Sequence, residues 1–164
     1  MISKTPRRSS KPLLIRLAGA GLILVSLAAC MESTGAGALA PGLTASMAEP
    51  GASLDRVQAL DIINQYRASV GAPALTADNA LDTTAQSLAG QYAATGKSPK
   101  LPDGATAIRA SAGYTNFAET FSGWRNSPAD ASVLASASAH RAGVAAVYQP
   151  NSDYGSYWVL VLGG

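Results

Sequence analysis

Apolar residues recur at every third or fourth position between residues 54 and 70, the spacing that places side chains on one face of an α-helix. Ser53 can cap this helix, Asp55 lies in its first turn, and Gly71 follows as a stop. The pattern predicts the first helix of a domain. Its apolar positions are Leu54, Val57, Leu60, Ile63, Tyr66 and Val70.

A second helical pattern follows the turn at residues 72–74. Thr76 or Asp78 can cap its N-terminus, and Gly96 can end it. Its alanines predict a close approach to another layer of the fold. The predicted apolar face is formed by Leu81, Ala85, Leu88 and Tyr92.

The next segment changes from loop to helix. Residues 97–114 contain two prolines and two glycines without a sustained period, so we expect mostly loop. Phe117, Phe121 and Trp124 are then spaced as on one helix face, which predicts a short helix ending before Pro128.

The C-terminal part favours a sheet. Residues 130–141 are rich in alanine and serine and favour a helix by composition alone. Two β-rich runs at 143–148 and 156–162 flank a turn at 149–153, which predicts an antiparallel hairpin whose second strand is covered on both faces. Helices followed by a sheet predict an α+β fold.

The N-terminus has the pattern of an export signal. Basic residues precede an apolar run at 17–29, which is shorter than the roughly 20 residues of a membrane-spanning helix. We therefore interpret residues 1–29 as a signal peptide. The sequence Leu27-Ala28-Ala29-Cys30 resembles the bacterial lipobox, which implies that Cys30 receives diacylglycerol and becomes the new N-terminus.

Two alternatives concern this segment. An ordinary signal peptide would leave Cys30 as a free thiol, and Arg7-Arg8 faintly resembles a twin-arginine export motif. With lipidation, several acyl chains would anchor the protein firmly to a membrane. Met31 follows the cysteine in place of the aspartate typical of inner-membrane retention, which favours the outer membrane and an envelope location.

Composition and charge predict the organisation of the chain after the signal peptide. Residues 31–52 are small and punctuated by glycine and proline, so we expect 30–52 to be a lipidated tether and 53–164 to be one domain. Removal of residues 1–29 leaves seven basic against ten acidic residues, a net charge of −3. Nucleic acid is therefore not an expected partner. A single cysteine excludes a disulfide scaffold.

The order of motifs resembles the CAP superfamily (cysteine-rich secretory, antigen 5, pathogenesis-related 1), in particular its short bacterial members. The resemblance covers about residues 54–162 and implies an α-β-α sandwich with a small antiparallel sheet between helices. The motifs are Ile63-Asn64-Gln65-Tyr66-Arg67, then Gly71, Pro73 and Leu75, then Trp124-Arg125-Asn126-Ser127-Pro128, and finally Gly143-Val144 and Tyr157-Trp158.

The resemblance also implies a cleft where two histidines and two glutamates can hold a divalent metal. Here the loop at 97–100 has no histidine, and Asp130 stands where the second histidine is expected. One glutamate survives, Glu119. It matches either the family's G-E-N segment or the helix glutamate five residues before Trp124, with Ile108 replacing the other.

This donor set argues against metal chemistry. Zinc prefers three or four converging Cys, His or carboxylate ligands, whereas Glu119 and Asp130 offer only oxygens. We therefore expect no cofactor, with a weak calcium or magnesium site as the alternative. His140, the only histidine, is expected to have a structural role near a helix C-terminus, with a general base as its alternative.

The sequence thus predicts a lipid-anchored envelope protein with a degenerate CAP-like domain that binds a lipid or cell-wall component without catalysis. We expect the ligand cleft near Glu119, Trp124 and Asp130. One alternative is a hydrolase of peptide or cell-wall polymer that uses Glu119 and Asp130 as paired carboxylates. Another is a structural or partner-docking module.

Overall fold

The computed structural model describes residues 38–164, so the predicted signal peptide and Cys30 lie outside the described residues. The helices are α1 (Pro41–Thr44), α2 (Arg56–Ser69), α3 (Asn79–Thr95), α4 (Phe117–Asn126) and α5 (Pro128–Leu134). The strands are β1 (Thr76–Ala77), β2 (Ala107–Ala112), β3 (Arg141–Tyr148) and β4 (Ser156–Gly163). Within this part of the chain, no helix is both long and apolar enough to cross a bilayer.

The strands form one sheet in the order β1-β3-β4-β2. β3 and β4 form the predicted antiparallel hairpin, and β2 pairs with β4 antiparallel on its other side. The α+β prediction is confirmed. The sheet is mixed rather than purely antiparallel, because the two-residue β1 runs parallel to β3.

α3 covers one face of this sheet at very short distance. Ala85 and Ala89 pack on Ala145, Val159 and Val161 of the central strands. Small side chains allow this approach, as the alanine content of the helix predicts. At Gly143 an added Cβ would overlap the backbone of α3 at Leu81 and Asp82, so only glycine fits there.

The opposite face carries the larger core, contributed by α2, α4 and α5. Phe117 and Trp124 of α4 pack there with Ile63 of α2 and Trp158 of β4. Every residue of β4 is buried, as predicted for a strand covered on both faces. The three layers therefore form a sandwich with β4 near its centre.

Arg67 lies completely buried at the C-terminal end of α2. Its guanidinium donates to four main-chain carbonyls, those of Pro73 (2.7 Å), Leu134 (2.6 Å), Ser136 (3.1 Å) and Ala139 (3.1 Å). Burial lowers the pKa of Arg67 because desolvation disfavours the cation. The hydrogen bonds offset this cost and fix α2 to the end of α5 and the connection after it.

Asn64, one turn before Arg67, holds the loop after α2. Its side-chain amide donates to the carbonyl of Leu75 (2.9 Å) and accepts from the amide of Leu75 (2.8 Å). This pair of bonds resembles the main-chain pairing between two strands. It holds Leu75 in position immediately before β1. The Asn-x-x-Arg segment therefore organises the backbone around α2.

Three predicted boundaries are wrong. The cap of α2 is Asp55 rather than Ser53, since the Asp55 carboxylate accepts the amide of Gln58 (3.0 Å). Residues 107–112 form β2 instead of loop, because pairing with the buried β4 stabilises a short alanine-rich segment that has little strand propensity. The helix expected at 130–141 begins earlier, at Pro128, and ends at Leu134.

The tether predicted for 30–52 extends too far, because the chain packs on the domain well before Ser53. Leu43 and Met47 are each only 3% exposed. The amide of Met47 donates to the carbonyl of Thr115 (2.7 Å), and the Ser156 hydroxyl donates to the carbonyl of Met47 (3.1 Å). Composition alone did not reveal that these isolated apolar residues reach the core.

We predict that Arg67→Met destabilises the protein by at least about 3 kcal/mol, because it leaves four main-chain carbonyl groups without their donor, two of them in buried hydrogen bonds. Chemical denaturation measures the loss. The control is Arg109→Met, which removes a partly exposed ion pair and should cost about 1 kcal/mol or less. Equal losses for both variants would contradict the role of Arg67.

Candidate functional site

Glu119 lies in the first turn of α4, where its carboxylate helps to cap the N-terminus of the helix. Oε2 accepts hydrogen bonds from the amide (3.2 Å) and the hydroxyl (3.0 Å) of Thr115, while the Glu119 amide donates to the side chain of Asn116 (3.0 Å). The two hydrogen bonds from Thr115, first that of its amide, lower the pKa of Glu119 because they favour the ionised carboxylate. The Asn-x-x-Glu spacing is a capping-box signal in the sequence.

Asp130 lies in the first turn of α5 and forms an ion pair with Arg109 of β2 at 2.7 Å. The two side chains are 27% and 23% exposed, respectively. The sequence does not predict this pairing, because Arg109 lies in residues 97–114, which show no sustained strand or helix period. The carboxylate is therefore neutralised by a neighbouring strand.

Trp124 is a core residue, with 2% of its surface exposed. Its ring meets Phe117 edge to face at 6.1 Å, and Phe117 in turn contacts Trp158 at 6.0 Å. The indole Nε1 of Trp124 and the hydroxyl of Ser111 are buried without a hydrogen-bond partner among the described residues. Trp124 therefore stabilises the packing of α4 instead of presenting a ring to a ligand.

The three predicted site residues thus have separate structural partners. Among residues 38–164, no hydrogen bond or ion pair joins any two of them. His140 is exposed beyond the end of α5, and only its main chain is engaged, with Thr76 and Gly163. The expected position near a helix C-terminus is therefore wrong.

An open concave surface lies between α2 and α3, and we call it the α2–α3 cleft. It consists of two adjoining cavities of about 260 and 560 Å³ that share Arg56, Asn79 and Asp82. The smaller cavity is a slot between α2 and the sheet. Its apolar lining residues are Val57, Leu60, Ile63, Ala77, Ala142, Val144 and Leu160.

The mouth of the cleft is polar. Arg56 Nε donates to the carbonyl of Val144 (3.0 Å), and Asp82 Oδ1 accepts the amide of the same residue (2.9 Å). Arg56 Nε and Asp82 Oδ1 lie 3.8 Å apart, and Arg56 also reaches Gln86 (3.4 Å). Sequence reasoning missed this site because no local spacing relates residues on two separate helices.

The sequence of the domain matches a known protein family. The sequence model of the CAP family, described as the cysteine-rich secretory protein family, matches residues 60–162. The chain belongs to the CAP family. Among curated protein sequences, none matches this chain.

Solved structures of other CAP proteins share the fold at low identity. An extracellular SCP-domain protein from Bacillus anthracis is 18% identical, with a TM-score of 0.54, over 66% of this chain and 40% of the other. MpPR-1i is 20% identical, with a TM-score of 0.50, over 66% and 84% of the two chains. An outer surface protein from Borrelia burgdorferi is 18% identical, with a TM-score of 0.49, over 66% and 91%.

The donor set of this CAP domain does not fit the divalent metal that the family resemblance implies. Of the two carboxylates, Glu119 is bonded to Thr115 and Asp130 to Arg109. A transition metal would need further nitrogen or sulfur ligands. In the described part of the chain, no three His, Cys, Asp or Glu side chains gather closely enough to hold an ion.

We predict that Glu119→Ala lowers the melting temperature at pH 7 and that this difference shrinks as the pH falls below about 4. The pKa of Glu119 is lowered in the folded state, so its contribution is present above the unfolded value of about 4.3 and is lost as the pH falls through the folded value. Calorimetry across this range measures the effect.

The control for this prediction is Asp103→Ala, which removes an exposed carboxylate that has no side-chain hydrogen bond among residues 38–164. It should change the melting temperature little at either pH. A Glu119→Ala difference that is the same at pH 7 and pH 3 would contradict a stabilising role for the ionised carboxylate.

Proposed function

We propose that this CAP protein is a lipid-anchored component of the bacterial cell envelope whose domain binds a lipid or cell-wall component without catalysing a reaction. The observation that supports binding over catalysis is the engagement of both candidate carboxylates. Glu119 closes a helix and Asp130 neutralises Arg109. These contacts give both carboxylates a structural role, which favours binding over catalysis.

The alternative, hydrolysis by paired carboxylates, has less support. A general acid needs a carboxyl group whose pKa is raised toward neutrality, usually by burial. The pKa of Glu119 is shifted the other way, because Thr115 donates two hydrogen bonds to an exposed carboxylate.

The α2–α3 cleft is the binding site that we favour. Ligand sites are typically apolar cavities with a few polar groups at defined positions. Here an apolar slot of about 260 Å³ opens beside Arg56, Asp61 and Asp82. Val57, 72% exposed at this opening, supplies apolar surface that a ligand would cover.

The envelope location rests on the N-terminal sequence. The lipobox-like segment ending at Cys30 supports lipidation, and Met31 supports the outer membrane. The solved relative from Bacillus anthracis is described as extracellular, which agrees with export of this chain. The membrane would thus be a partner through the acyl chains on Cys30.

We predict that Cys30→Ser blocks maturation, because serine has no thiol to accept diacylglycerol. Metabolic labelling with a fatty acid should mark the parent protein and not the variant, and the variant should accumulate as the longer precursor. Met31→Ser is the matched control and should be labelled and processed normally. Normal processing of Cys30→Ser would overturn the lipoprotein assignment.

For the cleft, we predict that Val57→Lys weakens ligand capture about tenfold, the effect of losing about 1.5 kcal/mol of apolar contact. Photoactivatable phospholipid and muropeptide probes would be crosslinked to the full chain in nanodiscs and mapped by mass spectrometry. The position is exposed, so the lysine should not disturb folding.

Val70→Lys is the matched control, since Val70 is an exposed valine at the other end of α2 and does not line the cleft. It should leave crosslinking unchanged. Crosslinks that map away from the α2–α3 cleft, or equal effects of the two lysines, would argue against this site. Capture of neither probe would argue against the proposed ligand class.

A further inference from the structure

β3 has a partner on its outer side over only part of its length. β1 pairs with Arg141 and Ala142 and then leaves the sheet to enter α3. From Gly143 to Tyr148, no described strand pairs with this side of β3. These six residues carry no charge, and such an edge is a ready template for another strand.

The direction of the backbone groups follows from the pairing with β1. The carbonyl of Ala142 accepts the amide of Asp78, so the main chain of Ala142 points to the outer side. Because the direction alternates along a strand, the main-chain groups of Val144, Ala146 and Tyr148 also point outward. An added strand would bond to these groups.

At Val144 both outward groups are already bonded, and the partners are side chains. Asp82 accepts the Val144 amide at 2.9 Å and Arg56 donates to its carbonyl at 3.0 Å. A carboxylate and a guanidinium thus take the places of a neighbouring strand's carbonyl and amide. They come from different helices and lie within ion-pair distance of each other, 3.8 Å.

We propose that Arg56 and Asp82 form a strand cap that prevents β3 of a second copy of this chain from adding to the free edge. With the cap in place, only Ala146 and Tyr148 keep outward groups without a partner among the described residues. The open edge is then only the three residues from Ala146 to Tyr148, which is the lower limit of strand length in proteins. Removing the cap extends the open edge back to Val144.

A second copy is the occupant that the sequence of β3 fits best. Two β3 edges can pair antiparallel about Ala146, which places Val144 of each copy opposite Tyr148 of the other. Such an arrangement has twofold symmetry, so the same patch serves both copies. The run from Gly143 to Tyr148 has no charged residue that would repel its own copy.

The test uses the full chain, solubilised in a mild detergent, with the protein mass measured by light scattering and corrected for bound detergent. The parent protein should have the mass of one copy, and Arg56→Ala/Asp82→Ala should double it. Asp82→Asn keeps an oxygen that can accept the Val144 amide, so this variant should remain at one copy. Arg109→Ala/Asp130→Ala, which removes an ion pair elsewhere, should also remain at one copy.

Unfolding of the double variant is separated from edge pairing by Ala146→Pro in the same background. Proline lacks the outward N–H and spares the ladder with β4, so it should return the mass to one copy. Circular dichroism should show unchanged secondary structure in both variants. A folded double variant that stays at one copy, a doubled mass that proline does not reverse, or a parent protein that is already dimeric through this edge would overturn the proposal.

Discussion

The buried guanidinium of Arg67 is the interaction on which the rest of this fold depends. A cation without contact to water is stable only if its N–H groups find acceptors, and four main-chain carbonyls supply them. Those carbonyls belong to the loop after α2, to the last residue of α5 and to the segment between α5 and β3. One side chain therefore sets where two irregular segments of the backbone lie, and β3 starts from the position so defined.

The predictions that succeeded concern elements with a strong period of their own. α2, α3 and α4 show helical spacing of apolar residues, and the hairpin of β3 and β4 is rich in β-branched and aromatic residues. The failures have a common cause. β2 and the segment around Met47 are stabilised by partners distant in sequence, such as β4 and Thr115, and their own residues give no local signal.

The contacts of the candidate site residues were likewise predictable only where they are local in sequence. Glu119 and Asp130 have the residue types of a catalytic pair, yet local capping and an ion pair to Arg109 already occupy them. The capping of Glu119 could be read from its spacing to Asn116, whereas the pairing of Asp130 required knowledge of β2. The α2–α3 cleft depends on two helices meeting across the edge of a sheet, which one sequence without structure does not reveal.

The contacts of Met47 have a mechanical consequence. If the chain is held at a membrane through its N-terminus, tension on the domain reaches Met47 directly after α1, where Leu43 is also buried. It is resisted at two places at once, by the bond to Thr115 beside the start of α4 and by the bond to Ser156 at the start of β4. Beyond α1, the load is therefore divided between the start of α4 and the start of the central strand β4, two elements on which the core depends.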